Sequence, residues 1–565
     1  MYVKVRYWHT KSPVRFTQTM KGGRKVPIWK RLKKNLATQQ ANNTSGETIR
    51  QTVVKDEKIE TDHPKAIQQI QQVFQEEADF VTRELVIFGK VPATIIYFSS
   101  LVDKKGISEE IIKPLLMNAH ESSLEADLKE VIMRQTLYHA DVQQATQLAD
   151  VVNGLLRGNT VLLIDGIQEG ILINTKMIEK RSIAQPETEQ VIRGPRDGFI
   201  ESLETNISLL RDRMPVPQFR VKTMQIGRIT KSTVGLFYMD DIANPSLVED
   251  VEKRLERIDI DRVLDSGYLE QFIQDNPRSP FPQVKNTERP DVAVGNLLEG
   301  RVVIMVDGSP FALIVPATFI MFYQSSEDYN ERTNVMSIIR MTRLISIIFS
   351  LITPSTYVAV ISYHPELIPT AFSVAITSGR AGVPFPAVVE VFLMEAAMEI
   401  LREATVRMPK QVGGALSIVG VLVVGQAAVM AGFVSPITVV VIAITTIGSF
   451  ATPAYSMATG FRMLRFFLIF MTGVLGLYGL ILGLILVMNH LLSLRSFGVP
   501  YLSPMSPMNW GGMRDSFIRA PLRWLIDRPE ELFVKNSKRI NNPKEYPTTN
   551  PLGPEQHLGT KEENE

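Results

Sequence analysis

The sequence predicts a membrane protein in two parts, a cytoplasmic α/β domain with two duplicated subdomains and an all-α transmembrane domain. The mean hydropathy of +0.05 averages two unlike regions. Charged residues are spread through residues 1–343, and long uncharged windows follow from Leu344 to Leu492. An internal repeat in the first region indicates a duplication. Apolar windows of roughly 20 residues in the second region predict about four spans, with a re-entrant or amphipathic helix between them.

The chain begins with a basic arm. Residues 1–63 contain many lysines and arginines, and no acidic residue precedes Glu47. We predict that this arm is disordered, because it cannot bury enough apolar surface to fold. It either binds anionic membrane lipid, at about 1 kcal/mol per basic residue, or serves as a solubilising tail. Nucleic acid is not the expected partner. Because the amino terminus lacks the apolar core of a secretory signal, we place the soluble part in the cytoplasm.

Two pairs of segments repeat in the same order. "GLLRGNTVLLIDG" at 154–166 aligns with "NLLEGRVVIMVDG" at 296–308, and "IIYFSSLVD" at 95–103 aligns with "LFYMDDIAN" at 236–244. We therefore predict α/β subdomains at 64–214 and 215–335. The Asp165-Gly166 and Asp307-Gly308 pairs predict hairpin turns, because both residue types tolerate positive φ. Turn chemistry explains these aspartates better than a pair of catalytic carboxylates does.

The segment between the two copies contains a basic cluster. It predicts a helix from about Gly198 to Arg213 that is capped by Asp197. Arg193 and Arg196 precede this helix and are candidates for a subdomain interface or an anion site, with the structural role preferred. The sequence has no cysteine and no phosphate loop, dinucleotide motif or metal-ligand spacing. We therefore predict no cofactor, no metal and no enzymatic activity.

The transmembrane domain is predicted at 336–494, and a carboxyl-terminal tail that docks on other elements at 495–565. The four candidate spans are Leu344–Tyr363, Val412–Val434, Ile437–Thr459 and Phe466–Met488. Small or polar side chains in the second span predict close helix packing: Gly420, Gly425, Gln426 and Gly432. Four spans alone would place several basic residues outside, against the positive-inside rule: Arg402, Arg407, Lys410, Arg462 and Arg465.

The helix between the first two spans carries a narrow charged stripe. On a helical wheel Glu395, Glu399, Arg402 and Glu403 fall in one sector, and the stripe is net negative. A carboxylate in hydrocarbon costs at least ~2.5 kcal/mol, so these side chains need water or a counter-charge. Either the helix lies in the membrane interface, or it lines an aqueous path through an oligomer. The residues alone leave both environments open.

Several segments resemble one known family when taken together. They include "LVDKKGISEEIIKPL", "RGPRDGFIESLETNISLLRDRM", "EGRVVIMVDGSPFALIVP", "GVPFP" and "SFGVPYLSPMSP". In this order, from about Asp79 to Pro529, they resemble the A subunit of the GerA-type spore germination receptors. The resemblance implies an integral protein of the spore inner membrane. It also implies a transporter-like, germinant-binding B-type subunit and a C-type lipoprotein subunit as partners.

The resemblance further implies that A subunits form a homo-oligomeric, nutrient-gated cation channel. The charged stripe of Glu395, Glu399, Arg402 and Glu403 would then line the pore. Val383 and Phe385 of the "GVPFP" turn are gate candidates because an apolar constriction there could close by dewetting, and the resemblance itself does not assign the gate. Two alternatives remain open. A secondary transporter would predict inverted repeats in the membrane part, and a membrane-anchored scaffold would use the spans only as an anchor.

Overall fold

The α/β part contains two sheets with the same strand order. The computed structural model describes residues 57–60, 62–74, 77–117, 128–137, 141–177, 185–407 and 425–540. In the first sheet the order is β1-β2-β4-β5-β3, with β1 Phe80–Ile87, β2 Val91–Phe98, β3 Val142–Ala145, β4 Asn159–Ile164 and β5 Gly170–Asn174. In the second sheet the order is β6-β7-β9-β10-β8, with β6 Phe219–Ile226, β7 Ser232–Met239, β8 Lys285–Thr287, β9 Val302–Val306 and β10 Ala312–Val315. The repeat in sequence therefore corresponds to a repeat in topology.

Helices precede the hairpins at equivalent places in the two copies. The α-helices of this part are α1 His63–Val73, α2 Lys104–Gly106, α3 Lys113–Met117, α4 Leu128–Val131, α5 Leu148–Leu156, α6 Leu203–Arg213, α7 Pro245–Glu256, α8 Ser266–Ile273, α9 Pro290–Leu298, α10 Phe319–Tyr323 and α11 Glu327–Asn330. Two π-helical turns, Ile107–Ile112 and Ile132–Thr136, accompany them. Helices α5 and α9 each lead into the last hairpin of their sheet.

The predicted Asp-Gly hairpins are confirmed. Strands β4 and β5 pair antiparallel around Gly166, and β9 and β10 pair antiparallel around Gly308, with φ values of 83° and 93° at the two glycines. Positive φ of this size is accessible to glycine without the steric strain that a side chain would add. The Asp307 carboxylate also accepts the backbone N–H of Leu203 at 3.0 Å. Asp307 therefore joins a hairpin turn to the start of α6.

The predicted start of α6 is wrong by several residues. The helix begins at Leu203, and Ser202 is its N-cap, with its hydroxyl accepting the N–H of Thr205. Asp197 instead forms an ion pair with Arg213 at the other end of the helix. Both residues satisfy N-cap chemistry in sequence, so the choice between them depends on the tertiary partner of Asp197.

The second half of the chain is helical. Its main helices are α12 Thr333–Tyr363, α13 Thr370–Arg380, α14 Ala387–Arg407, α15 Pro436–Ser449 and α16 Tyr455–Ser493, and residues 425–430 are also helical. Among the described residues, α12 and α16 are the helices long and apolar enough to cross a membrane. The predicted first span lies within α12, and the charged helix of the sequence analysis is α14.

Helix α16 reverses direction at Gly476, which has the non-helical φ of 62° and ψ of −143°. In one straight helix residues 468 and 483 would be about 22 Å apart. A Cβ atom added to Gly483 would instead lie 2.7 Å from Leu468 Cδ2. Both ends of α16 also contribute to one hydrophobic cluster, through Met457, Phe461, Val487 and Leu491. Helix α16 is therefore a hairpin of two antiparallel arms, α16a (455–475) and α16b (477–493).

Two of the predicted spans are therefore wrong as single helices. The window Ile437–Thr459 is interrupted because α15 ends at Ser449. Pro453 follows, and a helix rarely continues into the residue before a proline. The window Phe466–Met488 contains the reversal at Gly476. Hydropathy does not distinguish a straight apolar helix from an apolar hairpin, because both are equally hydrophobic.

The carboxyl-terminal segment packs on the α/β domain. It forms β11 Arg495–Ser496, β12 Val499–Pro500 and α17 Trp510–Met513. Tyr501 is fully buried, with its ring 6.3–6.4 Å from those of Phe281, Phe319 and Phe322. The same cluster contains the ends of α16. Residues 495–540 and the α/β domain therefore lie at the same end of the bundle. Residues 1–56 of the predicted arm (1–63) and residues 541–565 of the predicted tail (495–565) lie outside the described residues.

Candidate functional site

Helix α14 runs antiparallel to α16a along the bundle. Three contacts give the direction: Val388 with Gly473, Phe392 with Phe466, and Glu399 with Arg462. The start of α16a touches the α/β domain, because the Phe461 and Phe281 rings are 6.0 Å apart. Helix α14 therefore begins at the distal end of the bundle and ends near the α/β domain. Its charged side chains are distributed along this length.

Glu395 forms a buried ion pair with Arg465 of α16a. Both carboxylate oxygens accept from one terminal nitrogen of Arg465, at 2.8 and 3.0 Å, and both side chains are buried. Two charges inside an apolar bundle lose their hydration, and the attraction between them offsets part of that loss. Removal of either partner would leave the other uncompensated. This contact therefore fixes α14 against α16a.

The remaining candidates on α14 are closer to solvent. Glu399 accepts from Arg402 at 2.7 Å and from Arg462 at 3.2 Å, and its side chain is 43% exposed. Glu403 pairs with Arg407 at 2.6 Å and is 65% exposed. Arg402 also reaches the Ser449 hydroxyl of α15 at 3.4 Å. Exposure along the charged stripe thus increases toward the α/β domain.

The expectation that this stripe is net negative within the chain is wrong. Each of the four carboxylates of α14 has an arginine partner, and Glu399 has two. Two of these arginines, Arg462 and Arg465, come from α16a. A helical wheel of α14 does not include them. The sequence analysis weighed the membrane interface and an aqueous lumen for these carboxylates. The structure adds a third environment, arginine side chains from a neighbouring helix.

Glu390 connects three helices at the distal end. Its fully buried carboxylate accepts from Arg380 at 2.9 Å, from the Ser435 backbone N–H at 2.8 Å and from the Thr438 hydroxyl at 2.9 Å. Ser435 is the N-cap of α15, where a carboxylate also interacts favourably with the helix dipole. Glu390 therefore holds α13, α14 and α15 together.

The two gate candidates lie at this distal end. Val383 and Phe385 are partly buried in the turn between α13 and α14. The Phe385 ring stacks on Phe433, with centroids 6.3 Å apart and an interplanar angle of 11°. This aromatic contact joins the "GVPFP" turn to the chain that leads into α15. Their role as a gate remains a prediction.

The helix-packing candidates have different environments. Gly425 is buried, and a Cβ atom there would lie 3.7 Å from Val439 of α15. Gln426 is exposed. Gly432 lies in a turn with φ of 68°, where its flexibility matters more than helix packing. Gly420 lies outside the described residues. Among the described candidates, Gly425 faces a neighbouring helix at ordinary van der Waals distance, and Gly432 lies against the Gly382 carbonyl, 3.1 Å from an added Cβ atom.

Arg211 lies at the contact between the subdomains. Its guanidinium donates to Glu77 at 2.5 Å and to Asp79 at 2.6 and 2.7 Å, and all three side chains are buried. It also lies 4.4 Å from the ring centroid of Phe98 in β2 and 5.4 Å from that of Phe219 in β6. Burial raises the pKa of Glu77, although Arg211 acts in the opposite direction. Arg211 therefore bridges the two sheets.

The predicted basic cluster does not have this role. Arg193 and Arg196 are both exposed, and Arg193 forms a surface ion pair with Glu331 at 3.4 Å. They also lie well before the true start of α6. In sequence Arg211 is one of several charged residues at the end of a helix. No local pattern could have distinguished it.

A second buried cluster joins the α/β domain to α12. Asp328 of α11 accepts from Arg340 at 2.7 Å and from Arg343 at 3.1 and 3.2 Å. Arg340 also donates to the Asp515 carboxylate at 2.9 Å, and the Tyr329 hydroxyl donates to Asp515 at 2.6 Å. Burial raises the pKa of Tyr329, so its hydroxyl keeps the proton that it donates. We call these five residues the junction cluster.

The fold and these charges define a class of protein: a membrane-associated helical bundle fixed to a repeated α/β domain. Within this class, the chain belongs to the GerA family of spore germination proteins. The sequence model of that family, described as Bacillus/Clostridium GerA spore germination protein, matches residues 68–531.

Individual relatives agree with this assignment. The chain is 45% identical over 466 residues to spore germination protein KA of Bacillus subtilis, covering 82% of this chain and 85% of the relative. It is 41% identical over 460 residues to spore germination protein GerLA of Bacillus cereus, covering 81% and 93%. A crystal structure of the N-terminal domain of the A subunit of the Bacillus megaterium spore germinant receptor GerK3 is 32% identical. It covers 47% of this chain and 98% of that domain, with a TM-score of 0.37.

Proposed function

We propose that this chain is the A subunit of a nutrient-sensing spore germination receptor in the spore inner membrane. In this proposal the α/β domain is cytoplasmic, a transporter-like B-type subunit binds the germinant, and a lipoprotein C-type subunit completes the complex. Membership of the GerA family and the relatives named as spore germination proteins support it. The bundle supplies the structural support, because apolar side chains face outward and most charged side chains are paired inside.

The membrane topology that we propose rests on the directions of the helices in the bundle. Helix α12 leaves the α/β domain and reaches the distal end, where the Tyr363 hydroxyl bonds the Gly473 carbonyl. Helix α14 returns, α15 covers about 21 Å in the same direction, and the α16 hairpin goes out and back. In this proposal α12, α14 and both arms of α16 cross the membrane. The arginines at the ends of α14 and α16a then lie on the cytoplasmic side, in agreement with the positive-inside rule.

Cysteine labelling can test this topology, because the chain has no cysteine of its own. Tyr478 is exposed beside the Gly476 reversal, and Leu492 is exposed near the opposite end of α16b. In intact cells or protoplasts, Tyr478→Cys should react with a membrane-impermeant maleimide, whereas Leu492→Cys should react only after permeabilisation. An unreactive Tyr478→Cys would instead fit a single span over Phe466–Met488, with this residue inside the bilayer, and would contradict the hairpin topology.

The channel proposal concerns the exposed end of the charged stripe. In this proposal copies of the chain assemble with the ends of α14 toward a shared lumen, which the exposed carboxylates of Glu399 and Glu403 line together with their arginine partners. Glu395 and Arg402 hold α14 in position through their contacts with Arg465, Glu399 and Ser449, and Val383 and Phe385 form the apolar gate. The exposures of 43% and 65% at Glu399 and Glu403 support this division of roles.

Neutral substitutions test the channel. Glu403→Gln and Glu399→Gln should lower the initial rate of potassium release from germinating spores, measured against the amount of chain in the membrane. Glu249→Gln is a matched control, because Glu249 forms the same i,i+4 surface pair with Lys253 but in the α/β domain. Normal release from both α14 variants at normal abundance would contradict a lumen at this position.

A further inference from the structure

The carboxyl-terminal segment has large apolar side chains that face solvent. Trp510 is 76% exposed and Trp524 is 51% exposed. Three further apolar side chains of the same segment are exposed: Met508, Ile518 and Leu522. Exposed apolar residues scattered singly are ordinary, but these five are concentrated within residues 508–524. We call this set the exposed apolar segment.

This segment is held against the base of the first bundle helix. Arg340 donates to the Asp515 carbonyl at 3.1 Å and to its carboxylate at 2.9 Å. Arg519 donates to the Thr333 hydroxyl and to the Tyr329 carbonyl, and the Ser337 hydroxyl donates to the Arg519 carbonyl. The backbone of 515–519 is therefore attached to the first two turns of α12. Those turns also expose apolar side chains, namely Val335, Ile338 and Met341.

Basic residues accompany the tryptophans. Arg523 precedes Trp524 directly, Arg514 follows Trp510 by one helical turn, and Arg495 follows α16b. All three are exposed, and none has an ion-pair partner in the part of the chain that the structure describes. The cores of protein–protein interfaces are depleted of charge. Tryptophan beside unpaired arginine at the end of a membrane helix is instead typical of protein segments that lie in the lipid headgroup layer.

We propose that residues 508–524 lie in the headgroup layer of the cytoplasmic leaflet and bind anionic lipid. This inference depends on the proposed membrane insertion of the bundle. The tryptophan rings occupy the boundary between headgroups and acyl chains, and the arginines contact lipid phosphates. The segment thereby ties the junction cluster to the membrane surface.

Tryptophan fluorescence provides the test, because the chain has four tryptophans, Trp8, Trp29, Trp510 and Trp524. A full-length chain that keeps only Trp510, with phenylalanine at the other three positions, is reconstituted in phosphatidylglycerol vesicles. The lipids carry bromine either near the headgroup or near the acyl terminus. A ring at the interface should lose more of its fluorescence to the shallow bromine than to the deep one, because interfacial tryptophan lies at the level of the headgroups. The chain that keeps only Trp524 should behave in the same way.

Two controls separate the possible outcomes. A chain with Met177→Trp as its only tryptophan reports on an exposed site of the first subdomain, and this tryptophan should not be quenched. Labelling of Tyr478→Cys reports independently on insertion of the bundle. If insertion is normal and neither Trp510 nor Trp524 is quenched, the segment faces water or a partner protein, and the lipid proposal is overturned. If Tyr478→Cys shows no insertion, the proposed topology itself fails.

Replacing Arg514 and Arg523 with glutamine should reduce shallow quenching in phosphatidylglycerol but not in phosphatidylcholine.

Discussion

Replacing Asp328 with asparagine tests whether charge holds the α/β domain to α12. The Asp328 carboxylate is fully buried and accepts from Arg340 at 2.7 Å and from Arg343 at 3.1 and 3.2 Å. Asparagine keeps the shape but removes the charge, so Arg340 retains only Asp515 as a carboxylate partner. Breaking a buried pair costs about 3–5 kcal/mol. Because Asp515 still compensates part of the charge, we expect a loss near the lower end, about 3 kcal/mol.

The measurement is thermal unfolding of the purified full-length chain in detergent. At about 2–4 °C per kcal/mol, the expected loss lowers the melting temperature by about 6–12 °C. Glu331→Gln is the matched control, because it removes the exposed ion pair with Arg193, and such pairs contribute about 0–1 kcal/mol. An Asp328→Asn chain that melts together with the Glu331→Gln control would refute the argument that the buried charge holds the junction.

Three further predictions concern single side chains. Burial raises the pKa of Glu270 from 4.5 to about 7, so its stabilisation is present below the unfolded value and lost as pH rises through about 7. Glu270→Gln should therefore raise the melting temperature at about pH 8 but not at about pH 4.5, and equal shifts would contradict this. Glu395→Gln should lower membrane abundance on immunoblots, because it leaves a buried arginine unpaired; equal abundance with Glu403→Gln would count against it. Gly425→Leu should destabilise the chain and Gly425→Ala should not, because an added Cβ atom would lie 3.7 Å from Val439 and leave no room for a larger side chain. Identical melting temperatures of the two variants would exclude close packing there.

The repeated α/β architecture could be predicted because its signals are local. The Asp-Gly turns specify hairpins through backbone conformation, and both turns have the positive φ that they require at glycine. The alternation of strands and helices repeats at an almost constant offset, so one copy supports the other. Local signals failed at α6, because both Ser202 and Asp197 are suitable N-cap residues. Ser202 is the cap, and Asp197 pairs with Arg213 at the other end of the helix.

The buried arginines could not be predicted, because their partners are distant in sequence. Arg340 and Asp515 are 175 residues apart, and Arg211 and Asp79 are 132 apart. A single sequence contains no signal that pairs such residues. The reversal of α16 was also hidden, because several glycines occur between 473 and 483 and only Gly476 has a non-helical backbone. Hydropathy is the same for either course of the chain.

The first arm of the α16 hairpin supplies arginine partners for the charged stripe of α14. Both arms of α16 contact the α/β domain, with Phe461 against Phe281 on one arm and the His490 side chain 2.9 Å from the Ser279 hydroxyl on the other. Arg462 follows directly after Phe461, and its pair with Glu399 joins α16a to the exposed end of α14. A displacement of the α/β domain that moved α16a would therefore move Arg462 and Arg465, the partners of Glu399 and Glu395. Because breaking the buried Glu395–Arg465 pair would be costly, we expect α14 to follow such a movement of α16a, and this would couple the α/β domain to the proposed lumen.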